Sequence, residues 1–228
     1  MNTDLWVPLL LSLKVAGWAT VVATMAGIAV AYGLSRWPSR WSDVVDALLT
    51  LPMVLPPTVI GYYLLVLLGR RGWLGGWLQS HGISLVFTWQ GAVIAAALVA
   101  FPLVLKAARA AFLEVDARLE QAAAVLGLSP AAVFFRVSLP LAARGILAGV
   151  LLAFARALGE FGATLMIAGN IPGKTQTLSI AIYEAVQAGN DDAANILVLV
   201  TSVTCVVVLC LAAWLVPSGR RHPGRRSA

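Results

Sequence analysis

Charged residues are scarce in this sequence, and their scarcity excludes several classes of protein. Asp, Glu, Lys and Arg make up only 11% of the 228 residues, whereas a soluble domain carries about 25%. Hydrophobic residues make up 60% of the chain, and the mean hydropathy is +0.88. A water-soluble globule, an intrinsically disordered chain and a collagen-like repeat are therefore excluded. The composition is that of an integral membrane protein.

Cysteine and histidine are also rare. Cys205 and Cys210 lie five residues apart in one apolar stretch, a spacing that places them on different faces of a helix. The two histidines, His81 and His222, stand far apart in the sequence. We therefore predict no disulfide framework, no metal site and no catalytic residues.

Long apolar stretches account for most of the chain. A helix needs about 20 apolar residues to cross a membrane, and charge-free stretches of that size cover residues 15–35, 47–69, 82–105 and 193–219. A fifth stretch, residues 145–169, contains only Arg156 and Glu160 as charges. We predict an all-α membrane protein of five transmembrane helices, with a single membrane domain over residues 1–219. Residues 73–89 are a candidate sixth span, because their tryptophans suit the membrane interface.

The basic residues, which give a net charge of +6, indicate membrane topology rather than nucleic-acid binding. With the N-terminus outside, eleven arginines and lysines fall in inner segments and four in outer segments, as the positive-inside rule requires. The inner set is Arg36, Arg40, Lys106, Arg109, Arg118, Arg136, Arg144, Arg220, Arg221, Arg225 and Arg226, and the outer set is Lys14, Arg70, Arg71 and Lys174. We predict an outer N-terminus and a basic cytoplasmic tail over residues 220–228.

The longest inner connection, residues 106–144, is predicted to be helical. Its alanine-rich sequence favours helix, and Gly127 can take the left-handed conformation that ends a helix. Ser129 can then cap a second helix that has Pro130 at its first position. Pro140 predicts a break before the fourth span. An ordinary amphipathic connector has the same pattern, so the residues alone leave its role open.

Residues 168–175 fit a relaxed nucleotide-binding P-loop, but their context does not. A P-loop follows a β-strand and opens a helix that holds phosphate, whereas here a membrane helix precedes the motif. The predicted topology also places Lys174 outside, away from cytoplasmic ATP. We therefore predict that the chain has no nucleotide site of its own.

The inner connection resembles the cytoplasmic EAA motif of ABC-importer permeases, E-A-A-x3-G-x9-I-x-L-P. The matching positions, in order, are Gln121, Ala122, Ala123, Gly127, Val137, Leu139 and Pro140. Two positions depart from the motif. Gln121 stands in place of the glutamate, with Glu120 one residue earlier, and Val137 replaces isoleucine.

This resemblance implies a type I ABC-importer permease in a bacterial cytoplasmic (inner) membrane. Two copies would enclose the pathway, two separate ATP-binding subunits would carry ATP and Mg²⁺, and an external binding protein would deliver the cargo. This chain would then hold no cofactor and catalyse no reaction. The residues that would couple it to the ATPase are Glu120, Gln121, Ala122, Ala123 and Gly127.

Two further segments, residues 51–75 and 155–189, resemble the molybdate permeases of this family. The Ala-Arg-x-Leu-Gly-Glu-Phe-Gly core over residues 155–162 is similar in sulfate permeases, so sulfate, tungstate or another oxyanion is the alternative cargo. An ion-coupled secondary transporter is the alternative from a different class. Such carriers often contain inverted repeats, and we see none in the sequence.

Arg156 and Glu160 form a predicted charged pair in the fourth span. Their i, i+4 spacing puts them on one helix face, and pairing reduces a cost of about 2.5–3.5 kcal/mol for a charge at bilayer depth. The pair is either a structural salt bridge or a gate that changes partners between transport states.

Prolines predict an irregular stretch in the second span. Pro52, Pro56 and Pro57 cannot all continue one helix, so we expect residues 51–57 to be non-helical. That stretch forms either a cavity wall or a turn at the interface, because exposed irregular backbone is not tolerated in lipid. The uncharged side chains predicted to contact an oxyanion weakly are Thr58, Thr164 and Asn170.

Overall fold

The computed structural model describes residues 6–37 and 39–215, and these residues form eleven α-helices and one π-helical turn. The helices are α1 (Trp6–Ser35), α2 (Arg40–Val54), α3 (Pro57–Leu68), α4 (Trp73–Ser80), α5 (Trp89–Leu113), α6 (Ala117–Val125), α7 (Pro130–Val133), α8 (Leu139–Leu158), α9 (Gly162–Ala168), α10 (Leu178–Gln187) and α11 (Asp191–Leu215). The π-helical turn, Phe134–Ser138, joins α7 to α8. The predicted basic tail lies outside the described residues.

The helices provide up to five membrane spans. Trp6–Ser35, Trp89–Leu113, Pro130–Leu158 and Asp191–Leu211 are each long and apolar enough to cross, and α2 with α3 forms a fifth candidate bent by 106°. The prediction of an all-α protein is confirmed, and five spans result when the bent pair counts as one. The candidate sixth span is excluded, because α4 has only eight residues and crossing takes about 20.

Helices α1, α5 and α8 form the core of the bundle. Helices α1 and α5 run parallel, since Ala16 shares one buried cluster with Ala92 while Leu34 shares another with Phe112. Helix α8 runs antiparallel to α5, and a Cβ built on Gly149 would lie 2.4 Å from the Cβ of Ala107. Small residues allow this close approach of helix backbones in a membrane. The core is therefore packed mainly through alanine and glycine.

Helix α1 begins earlier than the apolar stretch predicts. The expected span started at residue 15, but the helix starts at Trp6 and includes Lys14. The Nζ atom of Lys14 lies 3.7 Å from the ring centroid of Trp89. Contact between a cation and an aromatic face stabilises the lysine at this position, so one charge does not end the span.

The fourth span differs from the prediction at both ends. Pro140 does not break it, because the helical path continues from Pro130 to Leu158. Instead the chain widens into the π-helical turn, in which Leu139 N donates to Phe134 O. The wider turn accommodates the proline ring, which otherwise clashes with the carbonyl four residues earlier.

At its other end, the fourth span stops before the predicted residue 169. Helix α8 ends at Leu158 and α9 begins only at Gly162, after a short non-helical break.

In the second span the irregular stretch is shorter than the predicted residues 51–57. Helix α2 includes Pro52, and the break covers only residues 55–56. The second span is thus bent at one break, and a short break follows the fourth span before α9.

Candidate functional site

The predicted inner connection contains a short projecting helix, α6, which we call the lever. Asp116 caps its start by accepting a hydrogen bond from Arg118 N at 2.9 Å. It ends at Gly127, whose φ of +85° lies in the left-handed region that favours glycine. Ser129 then accepts a hydrogen bond from Ala132 N at 3.3 Å, and Pro130 opens α7. The predicted helix, glycine turn and capped second helix are confirmed.

Glu120 anchors the lever to the bundle. Its Oε1 atom accepts a hydrogen bond from Ser138 Oγ at 2.5 Å and is ion-paired with Arg36 at the end of α1. Its side chain is only 13% exposed. Arg36 lies 5.2 Å from the ring centroid of Tyr32, which packs edge-on against Phe134. Glu120 is therefore directed towards the core and not towards solvent.

The rest of the lever presents an apolar tip to solvent. Gln121, Ala122 and Gly127 are exposed, whereas Ala123 is buried. The large apolar side chains of the tip, Val125 at 87% exposed and Leu126 at 81%, were not singled out from the sequence. Their position just before the glycine turn is the signal that identifies them, because exposed apolar residues at the end of a projecting helix mark a contact surface.

A second ionic cluster, absent from the sequence-based predictions, joins α2 to α5. The buried carboxylate of Asp46 is ion-paired with Lys106 and with Arg109, whose Nη1 atom lies 3.1 Å from Asp46 Oδ1. Arg109 also donates to Asp43 at 3.0 Å. Two of the predicted inner cations are therefore neutralised by acidic residues of the neighbouring helix.

The predicted pair in the fourth span is present, but its geometry differs from that of a continuous helix. Arg156 Nη1 lies 2.8 Å from Glu160 Oε2, and the side chains are 36% and 2% exposed. Glu160 lies in the break after α8, and its Oε1 atom accepts a hydrogen bond from Ala163 N at 2.9 Å. One carboxylate thus bonds to both helices that flank the break.

The breaks of the second and fourth spans lie side by side. A Cβ built on Gly61 would lie 2.6 Å from the Cβ of Met166, and one on Gly162 would lie 3.4 Å from Thr58 Cγ2. Helices α3 and α9 therefore pack closely through glycine. This packing brings the exposed Thr58 next to the segment whose backbone Glu160 caps.

The other two candidate contact residues lie on α9 and just after it. Thr164 is buried within α9, and its hydroxyl has no hydrogen-bond partner among the described residues. Asn170 lies outside α9, two residues beyond its end, and donates to Glu184 at 2.8 Å. The P-loop-like residues 168–175 follow a helix, as predicted, and not a strand.

The chain belongs to a family of membrane transport proteins, the binding-protein-dependent transport system inner membrane components, whose profile matches residues 23–221. It is 44% identical over 222 residues to the molybdenum transport system permease protein ModB of Escherichia coli (strain K12), covering 96% of this chain and 97% of the relative. It is also 35% identical over 176 residues to a probable sulfate transport system permease protein, cysT, of Chlorokybus atmophyticus, covering 77% and 62%.

Solved ABC transporters share the fold at low sequence identity. The inward-facing MetNI methionine transporter matches with a TM-score of 0.73 and 16% identity, covering 95% of this chain and 97% of that chain. A bacterial alginate transporter, solved in complex with an alginate pentasaccharide-bound periplasmic protein, matches with a TM-score of 0.74 and 16% identity, covering 96% and 82%. These matches establish the fold as that of an ABC-importer permease.

Proposed function

We propose that this chain is the membrane-spanning permease subunit of an ABC importer for molybdate. Two copies would enclose the pathway, with an external binding protein on one side and two ATP-binding subunits on the other. ATP and Mg²⁺ would be bound by the ATP-binding subunits. The alternating access of this chain would then be driven by conformational change in its partners.

The observation that carries the proposal is the lever, a helix with a buried anchor and an exposed apolar tip. Val125 and Leu126 are the side chains that would enter a cleft of the ATPase, with Gln121 and Ala122 beside them. Glu120 would not reach the ATPase, because its carboxylate is held by Arg36 and Ser138. Its role would be to transmit movement of the lever to the bundle.

Helix α8 would carry that movement to the gate. Ser138 at one end is bonded to the anchor, and Arg156 near the other end is paired with Glu160. They are eighteen positions apart along the helix, which corresponds to about 27 Å. The packing of Gly149 against α5 would make this helix move as a rigid rod. The gate would comprise Arg156, Glu160 and the neighbouring Thr58.

Thr164 and Asn170 have different supporting contacts. The unpartnered hydroxyl of Thr164 is buried beside the gate, so it would contact an oxyanion only if α9 moves. Asn170 is bonded to Glu184 in the loop network after α9. We place it on the outer surface, where it would meet cargo or the binding protein.

The orientation proposed is N-terminus outside and C-terminus in the cytoplasm of a bacterial inner membrane. The lever and the charged residues at the ends of α1, α2 and α5 lie at one end of the bundle, and the tryptophans of α4 lie towards the other. This distribution supports the arrangement that the positive-inside rule favours.

Molybdate is the favoured cargo because relatives that align along almost the whole chain are molybdenum permeases. Sulfate is the second candidate, favoured by the alignment with the sulfate permease. The test is uptake of labelled molybdate into proteoliposomes that contain the chain, its ATPase and the binding protein, with sulfate and tungstate as competitors. Uptake blocked by excess sulfate would assign the second cargo instead, and uptake without ATPase would indicate a secondary transporter.

The coupling part of the proposal has its own test. Leu126→Asp should abolish ATP-dependent uptake and binding of the ATPase, whereas the matched control Leu126→Met should preserve both. Normal ATPase binding by the aspartate variant would contradict the assignment of the tip as the docking surface. Folding of each variant is checked by its elution as a single species in detergent.

A further inference from the structure

A cavity of about 670 Å³ lies at the end of the bundle opposite to the lever. It is bounded by the end of α3, by α4 and by the loop before α5. Most of its wall is apolar, and the side chains that form this part include Leu65, Val66, Ile83, Val86 and Phe87. Arg70 and Arg71 contribute the only charged side chains of the lining.

The cavity wall is preformed. A Cβ built on Gly75 would lie 2.1 Å from Gly69 O, so α4 packs directly on the turn that follows α3. Phe87 has a φ of +60°, which is uncommon for a residue other than glycine. Its N–H donates to Ile167 O at 3.0 Å, and its ring lies over Gly169. These contacts fix the aromatic wall in place without a ligand.

Both arginines are exposed, and no carboxylate pairs with either within residues 6–37 and 39–215. The neighbouring Trp73 and Trp77 are also exposed, one turn apart on α4. Tryptophan in such positions is typical of the membrane interface, at the level of lipid headgroups. The cavity therefore combines an apolar wall with two cations at headgroup depth.

We propose that this cavity binds an anionic phospholipid, with its phosphate at Arg70 and Arg71 and an acyl chain along the apolar wall. Arginine suits phosphate because its guanidinium can donate two parallel hydrogen bonds. A small tetrahedral anion would leave the apolar part of the cavity unfilled. An amphiphile with one anionic head matches both parts.

The experiment measures lipid retention by the full-length chain, using native mass spectrometry from detergent that contains defined lipids. The probes are dioleoyl phosphatidylglycerol, dioleoyl phosphatidylcholine, and inorganic phosphate without an acyl chain. We expect the wild type to prefer phosphatidylglycerol over phosphatidylcholine by about 30-fold, from the attraction of two arginines to an anionic lipid. Inorganic phosphate should not compete.

The variants locate the site. Arg70→Gln with Arg71→Gln should abolish the preference, and Arg70→Lys with Arg71→Lys should keep most of it. Lys174→Gln is the matched control, because Lys174 is an exposed cation that does not line the cavity. An unchanged preference in the double glutamine variant would overturn the proposal, as would displacement by inorganic phosphate. Weaker capture of the external binding protein with lipid preference unchanged would assign the arginines to protein docking instead.

Discussion

The Arg156–Glu160 pair permits a double-mutant cycle that separates a gate from a structural salt bridge. The Glu160 carboxylate is almost fully buried and is held by Arg156 Nη1 at 2.8 Å and Ala163 N at 2.9 Å. Arg156→Ala leaves that anion with one neutral donor. Glu160→Gln removes the charge, and its amide oxygen can still accept the hydrogen bond from Ala163.

The expected loss of stability in Arg156→Ala follows from the burial of the Glu160 carboxylate. An unpaired charge costs about 2.5–3.5 kcal/mol at bilayer depth and about 3–5 kcal/mol when a buried pair is broken in a soluble protein. Because Arg156 is 36% exposed, solvent screens part of the interaction and the lower values apply. We expect Arg156→Ala to lower the free energy of unfolding by about 2–3 kcal/mol. The double variant should recover to within about 1 kcal/mol of wild type, a coupling of about 2 kcal/mol.

The assay combines denaturation of the detergent-solubilised chain with ATP-dependent uptake in proteoliposomes. Recovery of stability without recovery of uptake in the double variant would identify a gate. Recovery of both stability and uptake would identify a structural salt bridge. Additive losses of stability, with no coupling, would refute the reasoning that one carboxylate holds the break together. Normal uptake by Arg156→Ala would exclude the gate, provided that cargo capture by the external binding protein is intact in every variant.

Three further predictions test the core, the lever and the inner ionic cluster. Gly61→Ala should destabilise the chain by about 1–3 kcal/mol in thermal denaturation, since its Cβ would lie 2.6 Å from a neighbouring side chain. Gly17→Ala, with nothing within 4 Å of its Cβ, should be neutral or stabilising by up to about 1 kcal/mol. Glu120→Ala should reduce uptake per ATP hydrolysed while ATPase binding persists, whereas Gln121→Arg should weaken ATPase binding. Loss of ATPase binding in Glu120→Ala, with normal binding in Gln121→Arg, would contradict the assigned roles. Asp46→Asn should lower stability by about 1–2 kcal/mol, because it leaves two cations without their shared carboxylate; an unchanged melting temperature would contradict this.

The positions of the spans were predictable from the sequence for a simple physical reason. In lipid every backbone N–H and C=O must find a partner within the protein, so a long apolar segment becomes a helix. The turn at Gly127 was predictable for a similarly local reason. Its φ of +85° is strained for any residue with a Cβ, so a glycine between two helical segments marks the turn.

The positions of the breaks were not predictable from local rules. Proline normally ends a helix, yet Pro140 lies in a continuous helical path because a π-helical turn accommodates it. The fourth span breaks instead near Glu160, where no proline is present. There a side chain competes for the backbone N–H of Ala163. Such competition depends on where the partner arginine lies, and it leaves no trace in the hydrophobic periodicity of the sequence.

The ionic contacts at the lever end of the bundle were also not predictable from the sequence. Glu120 pairs with a residue 84 positions away, and Asp46 pairs with one 60 positions away. The first pair depends on the position of α1 against α5, which is set by close packing of small residues, and the second depends on the position of α2 against α5. Charge counting assigned Arg36 and Lys106 to one end of the bundle, where both lie, but it gave no indication of their carboxylate partners.

The proposed coupling of the lever to the pathway uses the distribution of rigid and broken segments. Helices α1, α5 and α8 contact one another through alanine and glycine, so sliding them apart would expose backbone to lipid at high cost. The breaks at residues 55–56 and 159–161 border that core, and the helices that follow them, α3 and α9, pack against each other at Gly61 and Gly162. Force applied at Glu120 would therefore be transmitted along α8 and released at the two adjoining breaks.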